Sequence, residues 1–314
     1  KVYLFNKDSS TPLWTYTAGD DITSVDISSD GEYIVAGSYD DKVYLFDKDS
    51  STPLWSYETG DDARVVAISA DGEYIAVGSG DDKVYLFSKD SSTPIWSYDT
   101  GSIVNAIAIS ADGKYIVAGT NDDNIFLFDK DSSTPLWNYD TGDTVLSVDI
   151  SADGEYIVAG NQDYKVYLFD KDSSNPLWSY TATWFIRSVS ISADGEYIIA
   201  GSQESGDTNI YFFDKDSSTP LWAYEADEPI YKVDISADGE YIIVGCDDDK
   251  VYLFDKDSST PLWSYDTEDY VRSTAISADG EYIVAGSQDN SMLYLFNKDS
   301  STPLWNRELD EGDE

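Results

Sequence analysis

The sequence has no histidine. That absence removes imidazole as a metal ligand, as the centre of a Ser-His triad and as the usual general base near neutral pH. Cysteine is almost as scarce: Cys246 stands alone, so no internal disulfide can form and the redox compartment stays open. It fills the slot held by Ser38, Ser79 and Ser287 elsewhere in the chain, which reads as a small half-buried side chain rather than a reactive thiol. Basic residues are few, 19 Lys and Arg against 61 Asp and Glu, for a formal net charge of -42. Nucleic acid and anionic membranes are held mainly through basic side chains, so this balance argues against both as partners. A charge of that size repels itself, and salt or cations should help the fold. No segment reaches the roughly 18 apolar residues of a membrane-spanning helix, so no membrane insertion is expected. Methionine occurs once, at Met292, and the chain begins at Lys1, which reads as a processed product or a piece of a longer chain.

What is abundant is repetition. Trp14, Trp55, Trp96, Trp137, Trp178, Trp222, Trp263 and Trp305 each follow Pro-Leu or Pro-Ile, mostly 41 residues apart. A period in the low forties with four strand-like segments per unit is the size of a propeller blade. In residues 145–182 the segments are VLSVDIS, YIVAGN, KVYLFD and LWSYT. Their alternation and β-branched content predict strands, and an Asp-Gly hairpin turn separates the first two. Called A to D from the inside of a ring outward, A and B recur seven times, at the Asp-Gly turns of Asp30, Asp71, Asp112, Asp153, Asp194, Asp238 and Asp279. Strands C and D recur eight times. The expectation is one all-β propeller domain over residues 1–314, with seven complete blades, a leading C–D half-blade at 1–17 and an acidic tail at 306–314. An eight-bladed ring is slightly favoured over a seven-bladed one. Both faces of these strands are apolar, so each blade needs a neighbour on each side, and the eight tryptophans read as blade-docking elements rather than as a cofactor site.

The stretch FDKDSSTPLWSYETG, from Phe46 to Gly60, resembles the tryptophan-docking repeat of PQQ-like propellers, and ISADGEYIAVGSGDDKVYLF, from Ile68 to Phe87, is similar to WD-repeat and surface-layer propellers. The likeness covers the whole chain and implies the fold. In the quinone enzymes the cofactor site uses an adjacent disulfide, a calcium ion and a general-base Asp; a chain with one cysteine does not carry that set over, so PQQ is not expected. The near-identity of the units resembles recently duplicated archaeal or bacterial extracellular propellers.

Antiparallel succession places the A–B and C–D turns at one end of the blades and the B–C and D–A loops at the other. The second end carries the acidic pairs Asp20-Asp21, Asp40-Asp41, Asp61-Asp62 and Asp81-Asp82, with Asp247 to Asp249. The recurring Asp-Lys-Asp-Ser-Ser, as in Asp129 to Ser133, has oxygens suited to calcium but reads better as a side-chain-stabilised turn. No cofactor is expected beyond weak, diffuse binding of Ca2+ or another cation by the acidic loops.

Three of the four arginines, Arg64, Arg187 and Arg272, fall nine residues after their blade's Trp. Thr23, Asn105, Leu146 and Tyr231 share that phase, and Lys232 follows Tyr231. This position enters strand A, so these residues are candidates for a cationic ring that holds a carboxylate or another anion through forked guanidinium contacts; alternatively they only neutralise nearby loop acids. Departures from the repeat gather in one sector: Thr183-Trp184-Phe185 replaces Gly-Asp-Asp in a D–A loop, the B–C loop from Gln203 to Asn209 is three residues longer, and Glu228-Pro229 follows. Exposed aromatics beside a lengthened loop are what a recognition patch uses; alternatively Trp184 folds over its own blade. The reading is a non-enzymatic scaffold, extracellular or at the cell surface, that binds a protein, glycan or small ligand at the B–C/D–A end. Two alternatives stay open, a self-associating building block of a surface layer or filament, and a carboxylate-dependent hydrolase or lyase.

Overall fold

A computed structural model describes residues 1–203 and 208–309, and all its regular structure is β. The first pair is β1 (Val2–Leu4) and β2 (Trp14–Tyr16), and the first blade is β3 (Ile22–Ile27), β4 (Tyr33–Ser38), β5 (Lys42–Asp47) and β6 (Trp55–Glu58). β1 and β2 form a two-stranded sheet, and seven four-stranded sheets follow, each ordered A-B-C-D. These are the seven blades of a β-propeller and the expected leading C–D pair; no eighth four-stranded blade occurs among the described residues. The lengthened loop lies outside the described residues at 204–207, as does the end of the acidic tail at 310–314. The chain divides into two compact units, residues 1–157 with 171–175, and residues 158–170 with 176–314.

Repeated chemistry explains the repeated geometry. In the first A–B turn the Ser28 hydroxyl donates to Asp30 Oδ1 at 2.6 Å, the Glu32 amide donates to the same oxygen, and the Tyr33 amide donates to Ser28 Oγ. The glycine that completes this turn has φ between 69° and 74° in all seven blades, a region that costs glycine nothing. Within unit 1, each turn grips the next: the Ala70 amide donates to the Ala111 carbonyl, and the Ala111 amide to that of Ala152, at 3.0 Å.

The tryptophans dock as the rhythm implies. Trp55 Nε1 donates to the Lys89 carbonyl of the next blade at 2.7 Å, and its ring lies 5.3 Å from Phe87. The same bond runs from Trp14 to Lys48, Trp96 to Lys130 and Trp137 to Lys171 in unit 1, and from Trp178 to Lys215, Trp222 to Lys256 and Trp263 to Lys298 in unit 2. The indoles are half-buried, with the polar edge bonded and the apolar body packed, as a docking tryptophan requires. Fully buried phenylalanines of strand C, such as Phe46, Phe87 and Phe128, supply the core beneath them.

Candidate binding site at the B–C and D–A loops

The arginine phase coincides with a backbone irregularity. In the A–B ladder, Ile22 faces Ser38 and Ser24 faces Gly37, which leaves Thr23 as an extra residue, and the same register shift brackets Arg64, Asn105, Arg187, Tyr231 and Arg272. A β-bulge kinks its strand and re-aims the side chain it releases from the pleat. Each of these six blades therefore presents one residue out of register where strand A begins, and the residue type there differs from blade to blade.

Unit 2 gathers three of these residues. Arg187 Nη2 donates to the Tyr231 hydroxyl at 2.7 Å, and its guanidinium carbon lies 4.1 Å from the centre of the Tyr231 ring. The Arg272 guanidinium carbon lies 3.8 Å from the same centre and 5.2 Å from that of Tyr270. Cation–π attraction thus holds two like charges around one ring. Arg272 is further tied to Asp247 by an ion pair of 3.0 Å and to Gln288 Oε1 by its Nε at 2.6 Å. Burial pushes the Asp247 carboxyl above its ordinary value, and Arg272 works against that shift. Arg187 has no ion pair among the described residues, although its charge also acts against the rise of the Asp247 carboxyl.

The other predicted residues are placed as follows. Arg64 lies in unit 1, half-buried and without an ion pair among the described residues. Lys232 is half-buried on the strand of Tyr231, and its charge opposes the rise that burial gives the Asp234 carboxyl. Trp184 stacks on Tyr164 with ring centres 5.4 Å apart and planes 10° apart, and Phe185 packs on both. Because Tyr164 belongs to the B–C loop of the blade that precedes Trp184, the indole does fold over its own blade, yet 39% of Trp184 stays exposed. Cys246 is fully rather than half-buried, its Sγ 3.2 Å from the Glu228 carbonyl, and burial pushes its thiol far up.

Sequence reasoning missed Tyr164, Tyr270 and Gln288; it placed Asp247 among the loop acids, and the pair it makes with Arg272 is the neutralising contact offered as the alternative role of the arginines. Tyr164 carried a signal, since it stands where other blades have the second loop Asp. That slot is left-handed, with φ 66° at Asp41, 67° at Asp82, 73° at Asp123 and 63° at Tyr164. Asp tolerates such a backbone, whereas a bulky side chain there is an outlier.

The acidic pairs turn out to be divided in role. Asp40 accepts from the Tyr44 hydroxyl at 2.5 Å and from the Gly19 amide at 2.7 Å, and Asp81 is bonded in the same way by Tyr85 and Gly60. Asp40 and Asp81 thus tie loop to strand, whereas Asp61, the first acid of its own pair, joins a charge cluster instead. In that cluster carboxylate oxygens of Asp41, Asp61 and Asp62 lie within 4.8 Å of one another. Burial and the two neighbours push the Asp41 carboxyl up. An all-oxygen set of this kind suits a hard cation such as Ca2+. In the Asp129 to Ser133 turn, Asp129 Oδ1 accepts the Asp131 amide and Ser132 Oγ the Thr134 amide, while Lys130 pairs with Asp131.

The family model of outer membrane protein assembly factor BamB, PQQ_2, matches residues 40–193. That of the WD domain, G-beta repeat, matches residues 10–47 and 174–214, and a family of unknown function, DUF5711, matches residues 202–294. None of the curated proteins matches the chain. Four-stranded blades, the tryptophan rhythm and these repeat matches together make the chain a β-propeller protein of the PQQ-like and WD-repeat-like kind.

Proposed function

We propose that the protein is a non-enzymatic interaction scaffold whose B–C/D–A end in unit 2 binds a partner protein through an exposed carboxylate and a neighbouring apolar group. The observation that carries this reading is the pair of guanidiniums around Tyr231, of which only Arg272 has a carboxylate of its own. Planar forked donors suit a carboxylate, and the half-open Trp184 face offers apolar contact at the same end of the blades. The repeat matches support a protein-interaction role, and an extracellular or cell-surface place accords with the BamB-type match. Catalysis is not part of the reading: the chain has no histidine, and the acids whose bonds are seen at this end, Asp40, Asp81 and Asp247, hold loop amides, tyrosine hydroxyls or Arg272. A glycan partner would use the Trp184 face without the arginines.

Selection from a phage-displayed peptide library tests the proposal. The wild-type protein should enrich sequences that combine Asp, Glu or a free C-terminal carboxylate with an aromatic residue, and Arg187→Ala should lose that enrichment without a change in melting temperature. Equal enrichment by the two proteins would remove the site.

A further inference from the structure

Strand A of the first blade is exposed where the same strand of the second is buried. In the second blade, Val66 and Ile68 of strand A are 6% and 7% exposed, because the A–B pair of the first blade covers them. Their equivalents in β3, Val25 and Ile27, are 58% and 48% exposed. A Cβ placed on Gly72, Gly113 or Gly154 would meet the ring of Tyr33, Tyr74 or Tyr115 from the preceding blade at 2.4 or 2.5 Å, whereas one on Gly31 meets nothing within 4 Å. β1 and β2 do cover the outer part of the first blade, where Val2, Leu4 and Trp14 pack on Ile34, Tyr44 and Phe46. Yet Leu4 is half-buried where Leu45, Leu86 and Leu127 are 0% exposed. The uncovered surface is thus the inner part of one blade face, and it has the footprint of two strands.

We infer that this surface is a docking site for a β-hairpin of the chain's own A–B pattern, supplied by a further polypeptide segment built from the same repeat. The occupant follows from continuity with the interfaces beside it, since the second, third and fourth turns each present to the preceding A–B hairpin what the first presents to solvent. Its first strand covers Val25 and Ile27, and the tyrosine after its Asp-Gly turn covers Gly31. Its second strand lies along β1, in the register that pairs Gly37 with Val43 and Val35 with Leu45 in the first blade. The turn amide donates to the Ser29 carbonyl, as Ser29 donates to Ala70. Main-chain pairing of an added strand supplies affinity, and pockets for alternate side chains supply selectivity.

The test uses the protein as it stands and a peptide of residues 104–120, whose one Asp and one Lys spare it repulsion from an acidic chain. A disulfide between cysteines appended at its ends offsets the marginal stability of an isolated hairpin. Calorimetry should show saturable one-to-one binding that weakens at least about tenfold in Val25→Lys/Ile27→Lys, a variant at exposed positions whose melting temperature should not fall. Binding of a sequence-scrambled peptide with equal affinity, no saturable binding, or binding indifferent to that variant would overturn the proposal. So would light scattering that finds a wild-type dimer and a monomeric variant, because a second copy would then be the occupant.

Discussion

The two ends of a blade obey different rules. At the A–B and C–D end the Ser-Asp-Gly turn recurs in all seven blades, and the Trp-to-Lys bond is made by seven tryptophans with nearly the same distance. At the B–C and D–A end the same backbone carries Thr23 in one blade, Asn105 in another, Arg187 and Arg272 in others. The first end is constrained because each turn is part of an interface, so a change in one blade disturbs the next. The second is free because the bulge lifts its residue out of the ladder, where only local partners are affected. Thr23 and Asn105 show the bland outcome, bonding to the Ala63 carbonyl at 2.5 Å and to Asn121 Oδ1 at 2.5 Å. Arg187, Tyr231 and Arg272 show the other outcome, in which three neighbouring blades contribute to one cationic group.

Tryptophan substitution offers the largest contrast. Trp96→Ala removes a ring packed 5.3 Å from Phe128 and the bond to the Lys130 carbonyl, and should cost about 2–4 kcal/mol of unfolding free energy in urea titrations. Trp184→Ala, at the other end, should change stability by less than about 0.5 kcal/mol. A larger loss at Trp184 than at Trp96 would break the division between frame and site.

A smaller contrast separates the two arginines. Arg272→Ala leaves the Asp247 carboxylate without its partner and should cost about 1–2 kcal/mol at pH 7, whereas Arg187→Ala should be close to neutral. The Asp247 carboxyl is already raised in the folded protein, so its ionised form is the disfavoured one. Loss of Arg272 raises the carboxyl further, so the penalty is fully present above the variant's folded value and fades as pH falls from there to the wild-type folded value, where the carboxyl is protonated in both proteins. Equal losses in both variants, or a penalty that grows on acidification, would show that the two cations are equivalent structural groups.

The smallest effect belongs to the acidic loops. Asp41→Asn keeps a residue tolerant of φ 66° and removes one charge beside Asp61 and Asp62. Because the folded value of Asp41 is raised, repulsion opposes folding above it and vanishes as pH falls through it. The variant should melt slightly higher than wild type at pH 7 in low salt, and the gap should close in 1 M NaCl and near pH 4. A variant that melts lower at pH 7 would make Asp41 a needed ligand or turn residue instead.

Much of the frame was legible before any coordinates. Asp-Gly turns, alternating β-branched strands and a tryptophan every 41 residues are local signals whose structural meaning depends on a few neighbours. The candidate site was legible only as a phase. Counting from each tryptophan found Arg64, Arg187 and Arg272 together, yet Arg64 lies in unit 1, and only Arg187 and Arg272 are seen to meet around Tyr231. That Arg272 would pair with Asp247 among the loop acids, and with Gln288, was not legible, because both sit in B–C loops, one on a neighbouring blade, and no local pattern joins them to strand A. The tryptophans dock as their rhythm implied: they are partly buried, and the Nε1 of seven of them is held by a carbonyl of the next blade.

By itself the sequence determined strand positions, turn chemistry, the acidic character and the unequal count of A–B and C–D pairs, because each is set by residues close together in the chain. The tertiary structure alone decided which side chains converge and which apolar faces stay open. Convergence depends on the bulge and on the stacking of one blade on the next, and exposure depends on what lies across an interface; neither is encoded in a short window of residues.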